Sequence, residues 1–178
     1  MKFKKKWIII LVFLGFLVFY IGYNFSNYGD INYKPINQYS VNVTPDNTEF
    51  SPGQEVNVEF STKSFGRESS LFKPLVKSEL VISTDLKDLN AYIINTDNKN
   101  KIFPTKISTD VYEGLEYYII HFDVPKSGNE MFNVHISGKV EELGRKNILL
   151  SHVVLRNHYL FGTNDKFMGS LKRGLNEK

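Results

Sequence analysis

Residues Trp7 to Tyr23, WIIILVFLGFLVFYIGY, carry no charged side chain and are apolar on every face of a helix. Seventeen helical residues rise about 25 Å, a little short of the roughly 30 Å hydrocarbon core of a bilayer. Phe3 and Phe25 can lengthen the run, and lysines beside it can extend their ammonium groups to the interface. Lys2, Lys4, Lys5 and Lys6 directly precede it, and the first ionisable side chain beyond it is Asp30. By the positive-inside rule the N-terminus stays in the cytoplasm and the rest of the chain lies outside. A cleaved signal has a shorter apolar region and then paired small residues. Here the run ends in Tyr20-Ile-Gly-Tyr23-Asn-Phe. The expectation is an uncleaved anchor in the plasma membrane, held by Lys4, Lys5, Lys6, Trp7, Tyr20 and Tyr23, with the lipid bilayer as its first partner.

That segment also rewrites the charge balance. Four of the 22 Lys and Arg lie in residues 1–6, leaving 18 against 19 Asp and Glu beyond them. The exterior part is therefore close to neutral, which argues against nucleic acid as a partner. There is no cysteine, so disulfides, thiol nucleophiles and thiolate metal sites are excluded. An exterior domain without disulfides must rest on its core, and a domain of about 150 residues can do so. The bias towards Lys, Asn and Ile suggests an AT-rich bacterial source.

Residues 24–38 show neither strand nor helix periodicity and read as a stalk. Alternation begins at Tyr39. Val41 and Val43 alternate with polar residues, and so do Val56, Val58 and Phe60 within Glu55–Ser61. Pro52-Gly53 between them predicts a type II turn. Leu75–Thr84 and Tyr92–Ile94 follow as strands. Lys101–Ser108 reads as one edge strand, because Pro104 has no N–H for a ladder. Leu115–Val124 and Met131–Val140 read as a hairpin. Ile148–Leu155 is nearly all apolar and predicts burial on both faces.

Short strands separated by turn signals predict an all-β antiparallel sandwich over residues 39–157. The basic tail is 1–6, the transmembrane anchor 7–23 and the stalk 24–38. Residues 158–178 read as a C-terminal tail packed on the sandwich or frayed, in which Asn164 can cap a short helix with Phe167, Met168, Leu171 and Leu175 on one side, weakened by Gly169 and Gly174.

The pattern Val-x-Val-x-Pro … Phe-x-Pro-Gly-Gln-x-Val-x-Val-x-Phe over residues 41–60 resembles the opening strands of bacterial immunoglobulin-like or fibronectin-III-like domains. The Cys…Trp…Cys core of true immunoglobulin domains is absent, since the one tryptophan is Trp7. The resemblance implies an immunoglobulin-like sandwich used for adhesion, scaffolding or ligand binding.

No nucleophile elbow, zinc-protease motif, P-loop or dinucleotide fingerprint occurs. Asp85, Asp88, Glu141 and Glu142 lie in turn-like sequence and read as solvated charges. His121 and His135 both point away from the apolar face of the expected hairpin. If residue 128 centres the loop, the two imidazoles oppose each other, with Asp123 nearby. Such a set fits zinc or copper. The leading expectation is a non-enzymatic envelope component that presents an interaction surface to a protein or wall polymer, without a cofactor. A metal-binding ectodomain using His121, His135 and Asp123 is the alternative. A hydrolase whose site is assembled from distant loops is the third.

Overall fold

The computed structural model describes residues 2–26, 41–63, 74–112, 114–125, 131–141, 147–160 and 162–176. Helix α1 spans Lys2–Ser26. Within it Lys5–Gly22 is long and apolar enough to cross a bilayer, and none of it is buried against the rest of the chain. The expected stalk falls outside the described residues from residue 27 onward, and residues 24–26 belong to the helix.

All other described elements are strands: β1 (Val41–Thr44), β2 (Glu49–Phe50), β3 (Glu55–Lys63), β4 (Leu75–Thr84), β5 (Lys87–Asn95), β6 (Lys101–Ile102), β7 (Lys106–Tyr112), β8 (Leu115–Val124), β9 (Met131–Lys139), β10 (Asn147–Tyr159) and β11 (Gly162–Leu175). They form a five-stranded sheet ordered β1-β3-β9-β5-β6 and a six-stranded sheet ordered β2-β11-β10-β4-β8-β7. The pairings are antiparallel except for a short parallel contact between β11 and β2. The core lies between the two sheets. Val56, Val58 and Phe60 of β3 are buried, and so are Ile120 and Phe122 of β8 and Val134 and Ile136 of β9. Each such side chain contributes about 1.5–3 kcal/mol by leaving water. The expected turn at Pro52-Gly53 is present, with Gly53 at φ +76°. Gly138 of β9 marks a close approach: a Cβ there would lie 2.6 Å from the Lys87 carbonyl oxygen and 2.9 Å from Leu86 Cβ.

Four expectations are corrected. First, β8 and β9 do not pair. β8 lies between β4 and β7, and β9 between β3 and β5, in the other sheet. Their apolar faces were read correctly, but they meet across the core instead of lying side by side. Second, Lys101–Ser108 is not one strand. It breaks at Phe103-Pro104-Thr105, so β6 ends the five-stranded sheet and β7 ends the six-stranded one. Both pieces are edges, and Pro104 stands in the link between them and in neither ladder.

Third, the C-terminal residues form a strand, not a helix. β11 pairs with β10 from Tyr159↔Gly162 to Asn147↔Gly174. Register shifts at Leu149/Ser151 and Val153/Val154 add one residue to each strand, Leu150 on β10 and Met168 on β11. Both extra side chains are buried. These bulges break strict alternation and leave apolar residues three or four apart, which imitates a helical stripe. Fourth, β10 is not buried on both faces. Ile148, Leu150, Val153 and Leu155 are buried, while Leu149, His152 and Val154 are half-buried on the other side.

Candidate interaction surface

The strand assignment decides where the candidate metal ligands fall. His121 and Asp123 turn outward from β8, and His135 turns outward from β9. The two strands belong to different sheets, so His121 and His135 lie on opposite outer faces of the sandwich. The set His121, His135 and Asp123 is not brought together. Among the described residues no three His, Asp or Glu side chains are grouped to hold a metal ion. Of the anchor residues, Lys4, Lys5, Lys6, Trp7, Tyr20 and Tyr23 all lie within α1, and the Trp7 side chain is exposed.

On the outer face of the six-stranded sheet His121 joins a different cluster. Its centre is Glu79 on β4, only 8% exposed. Register places Glu79 beside Arg156 of β10 and Asp123 of β8. Lys77 Nζ donates to Glu79 Oε1 at 2.6 Å and lies 2.8 Å from Asp123 Oδ1. His158 Nε2 is 2.8 Å from Glu79 Oε2. The buried Nδ1 of His121 makes no hydrogen bond among the described residues and faces the same oxygen at 3.6 Å. One strand further, Arg156 Nε and Nη2 donate to the two carboxylate oxygens of Asp165 at 2.8 and 2.6 Å. Thus β11, β10, β4 and β8 are laced across their outer face.

Burial opposes ionisation of Glu79, but the hydrogen bonds from Lys77 and His158 outweigh it and hold the carboxyl down at about 2. Lys77 is raised in turn by its bonds to Asp123 and then Glu79. A general acid or base works best with a pKa near the operating pH. Glu79 is far from that, so the cluster acts as an electrostatic clasp. Burial lowers His152, with Lys172 adding to the effect, and its ring packs on Phe167 at 4.9 Å.

The outer face of the five-stranded sheet has a different chemistry. A shallow depression of about 250 Å³ is lined by Asn57, Glu59, Asn90, Tyr92, His135 and Ser137, besides two backbone neighbours. A second, of about 170 Å³, shares Glu59 and His135 and adds Asn42, Ser61 and Asn133. A third, of about 260 Å³, shares Asn57 and Ser137 and adds Glu55, Asp88 and Lys139. Together they make one furrow across β3, β9 and β5. It exists because short Asn and Ser side chains stand between longer ones. His135 stacks on Tyr92 at 4.7 Å and meets Glu59 Oε1 through Nδ1 at 3.0 Å, while Lys101 Nζ lies 3.5 Å above the Tyr92 ring. Those contacts fix one wall. The exposed amides of Asn57 and Asn90 are left to face solvent.

Alternation marks each of these positions as solvent-facing, yet it cannot tell which strand lies beside which. Glu79 and His158 are 79 residues apart, and nothing local in the sequence joins them.

No protein-family model matches the chain. No curated protein matches it. Solved structures of bacterial surface proteins do. The collagen-binding domain from a Staphylococcus aureus adhesin matches with TM-score 0.37 and 10% identity, over 78% of this chain and 97% of that one. The group B streptococcus pilus 2b backbone protein matches with TM-score 0.40 and 10% identity, over 77% of this chain and 56% of that one. The collagen-binding subdomain of the Enterococcus faecalis surface protein ACE matches with TM-score 0.35 and 8% identity, over 69% and 88%. At this level the likeness is one of β-sandwich domains and goes no further.

Proposed function

We propose that the chain is a non-enzymatic, single-pass membrane protein of the cell envelope, with a cytoplasmic N-terminus and an immunoglobulin-like sandwich outside as an interaction module. The observation that carries this reading is the division of apolar surface. Among the described residues the sandwich closes its core without α1, and no residue of Lys5–Gly22 is buried. Such a surface needs lipid. The lysine asymmetry around the span supports the orientation.

The furrow on the five-stranded sheet is the module's binding face in this account. Its side chains stand on three paired strands and are rigidly spaced, and its open amides and hydroxyls suit a polar envelope protein or wall polymer. Replacing Asn57 and Ser137 with arginine fills the furrow from outward positions and leaves the core untouched. Crosslinking to intact envelopes followed by capture of the full chain tests this. The wild type should retain its envelope partner, and the double variant should retain about tenfold less, equal to the loss of about 1.4 kcal/mol. Equal capture by both chains would remove the furrow from the account.

A further inference from the structure

We infer that β7 is a pairing edge for a second copy of this chain, and that two copies join their six-stranded sheets through it. Strand edges with open N–H and C=O groups are usually blunted by shortness, charge or bulges. Among the described residues, β1, β2 and β6 have only four, two and two residues. β11 is open over most of its length, but it carries a bulge at Met168 and no large apolar side chain that is exposed. β7 differs. It runs seven residues, pairs among the described strands with β8 alone, and exposes Ile107 by 50%, Val111 by 65% and Tyr112 by 67%. Ile107 and Val111 share the core-side parity of Ile107↔Ile120, yet β6, at the matching end of the other sheet, is too short to cover them.

The occupant follows from the sequence of the edge itself. The Val111 N–H is bonded at 2.8 Å by the Asp110 carboxylate, so it turns away from β8. Alternation along an antiparallel ladder then turns Ile107 and Thr109 to the same open side. A twofold axis at Thr109 puts each of these groups opposite a matching one. Thr109 faces the copy's Thr109, and Ile107 faces the copy's Val111, twice over. On the outer side Lys106 meets the copy's Tyr112, with the copy's Asp110 on the diagonal. Apolar meets apolar and cation meets anion, and the copy's carbonyl takes over the Val111 N–H that Asp110 now holds. Cross-strand pairs of this kind each add roughly 0.2–1 kcal/mol.

The chain has no cysteine, so a single introduced thiol reports on itself alone. The full chain in lipid nanodiscs large enough for two copies, carrying Thr109→Cys, is oxidised and the disulfide-linked dimer is timed. Asn42→Cys, on β1 of the other sheet, is the control. Both carry the same α1, so association through the helix would speed both equally. Thr109→Cys should link about tenfold faster than Asn42→Cys, and adding Ile107→Lys should remove that advantage by converting two apolar pairs. Ile107 is half exposed, and an unchanged melting temperature confirms that this variant folds. Equal linking rates for the two thiols would overturn the proposal, and so would a Thr109→Cys rate unaffected by Ile107→Lys.

Discussion

A chain ending at Leu160 should lose the cooperative unfolding transition of its sandwich. The residues it lacks, 161–178, lie within the stretch 158–178 that reads as a tail, but most of them form β11, which pairs with β10 at twelve positions. Met168 is 1% exposed, and Leu171 and Leu175 pack against the core. Asp165 anchors Arg156, and Gly174 and Leu175 hold β2 in the sheet. Burying Met168 alone contributes about 1.5–3 kcal/mol. The ladder and the two leucines add to that, and a domain has only about 5–15 kcal/mol in all. Thermal unfolding of the full chain in detergent, followed by circular dichroism in the strand region, is the measurement. The intact chain should melt cooperatively and the shortened one should not. A shortened chain that melted within a few degrees of the intact one would show β11 to be peripheral.

Replacing Glu79 with alanine should cost about 3 kcal/mol, because Lys77 and His158 lose the nearly buried carboxylate that they share. The pH dependence separates charge from packing. The Glu79 pKa falls from 4.5 when free to about 2 in the fold. A depressed carboxyl stabilises the fold above its unfolded pKa, and that stability is lost as pH falls through the folded value. The contribution is therefore complete above about pH 4.5 and fades towards pH 2, with a size of about 3 kcal/mol. Denaturant unfolding of the wild type and Glu79→Gln at pH 7, 4 and 2.5 reads it directly. The wild type should be more stable at pH 7, and the gap should close as the pH falls. A gap of the same size at pH 2.5 and pH 7 would mean that Glu79 acts through its shape and not its charge.

Much of this fold is legible locally. Val56, Val58 and Phe60 alternate in the sequence and are buried in the structure, and Pro104 announces an edge. What local reading cannot supply is the identity of neighbours. Val124 and Met131 are close enough in sequence for a hairpin, yet the strands they belong to lie in different sheets. Alternation says which way a side chain points, and it says the same whether two strands lie side by side or face to face. The metal expectation at His121 and His135 failed at that step: both side chains do point outward, but from different sheets. The bulge at Met168 concealed β11 for a related reason, since one added residue defeats a period of two. Asp85 shows the limit for charge. It sits in turn-like sequence, yet it is 2% exposed and accepts the Leu149 N–H at 2.7 Å beside the β10 bulge. The turn is local, and the strand that needs its carboxylate comes 64 residues later.

The placement of the sandwich outside the membrane, on an anchor that remains attached, is tested most directly with two single-thiol chains. Thr163→Cys puts a thiol at the exposed start of β11, and Lys5→Cys puts one in the basic tail before the apolar run. Intact cells are treated with a membrane-impermeant maleimide, and the labelled chain is weighed by mass spectrometry. Labelling is expected at residue 163 in intact cells, at residue 5 only after permeabilisation, and on a chain whose mass includes α1. Protection of residue 163 in intact cells, or a labelled chain that has lost α1, would contradict it.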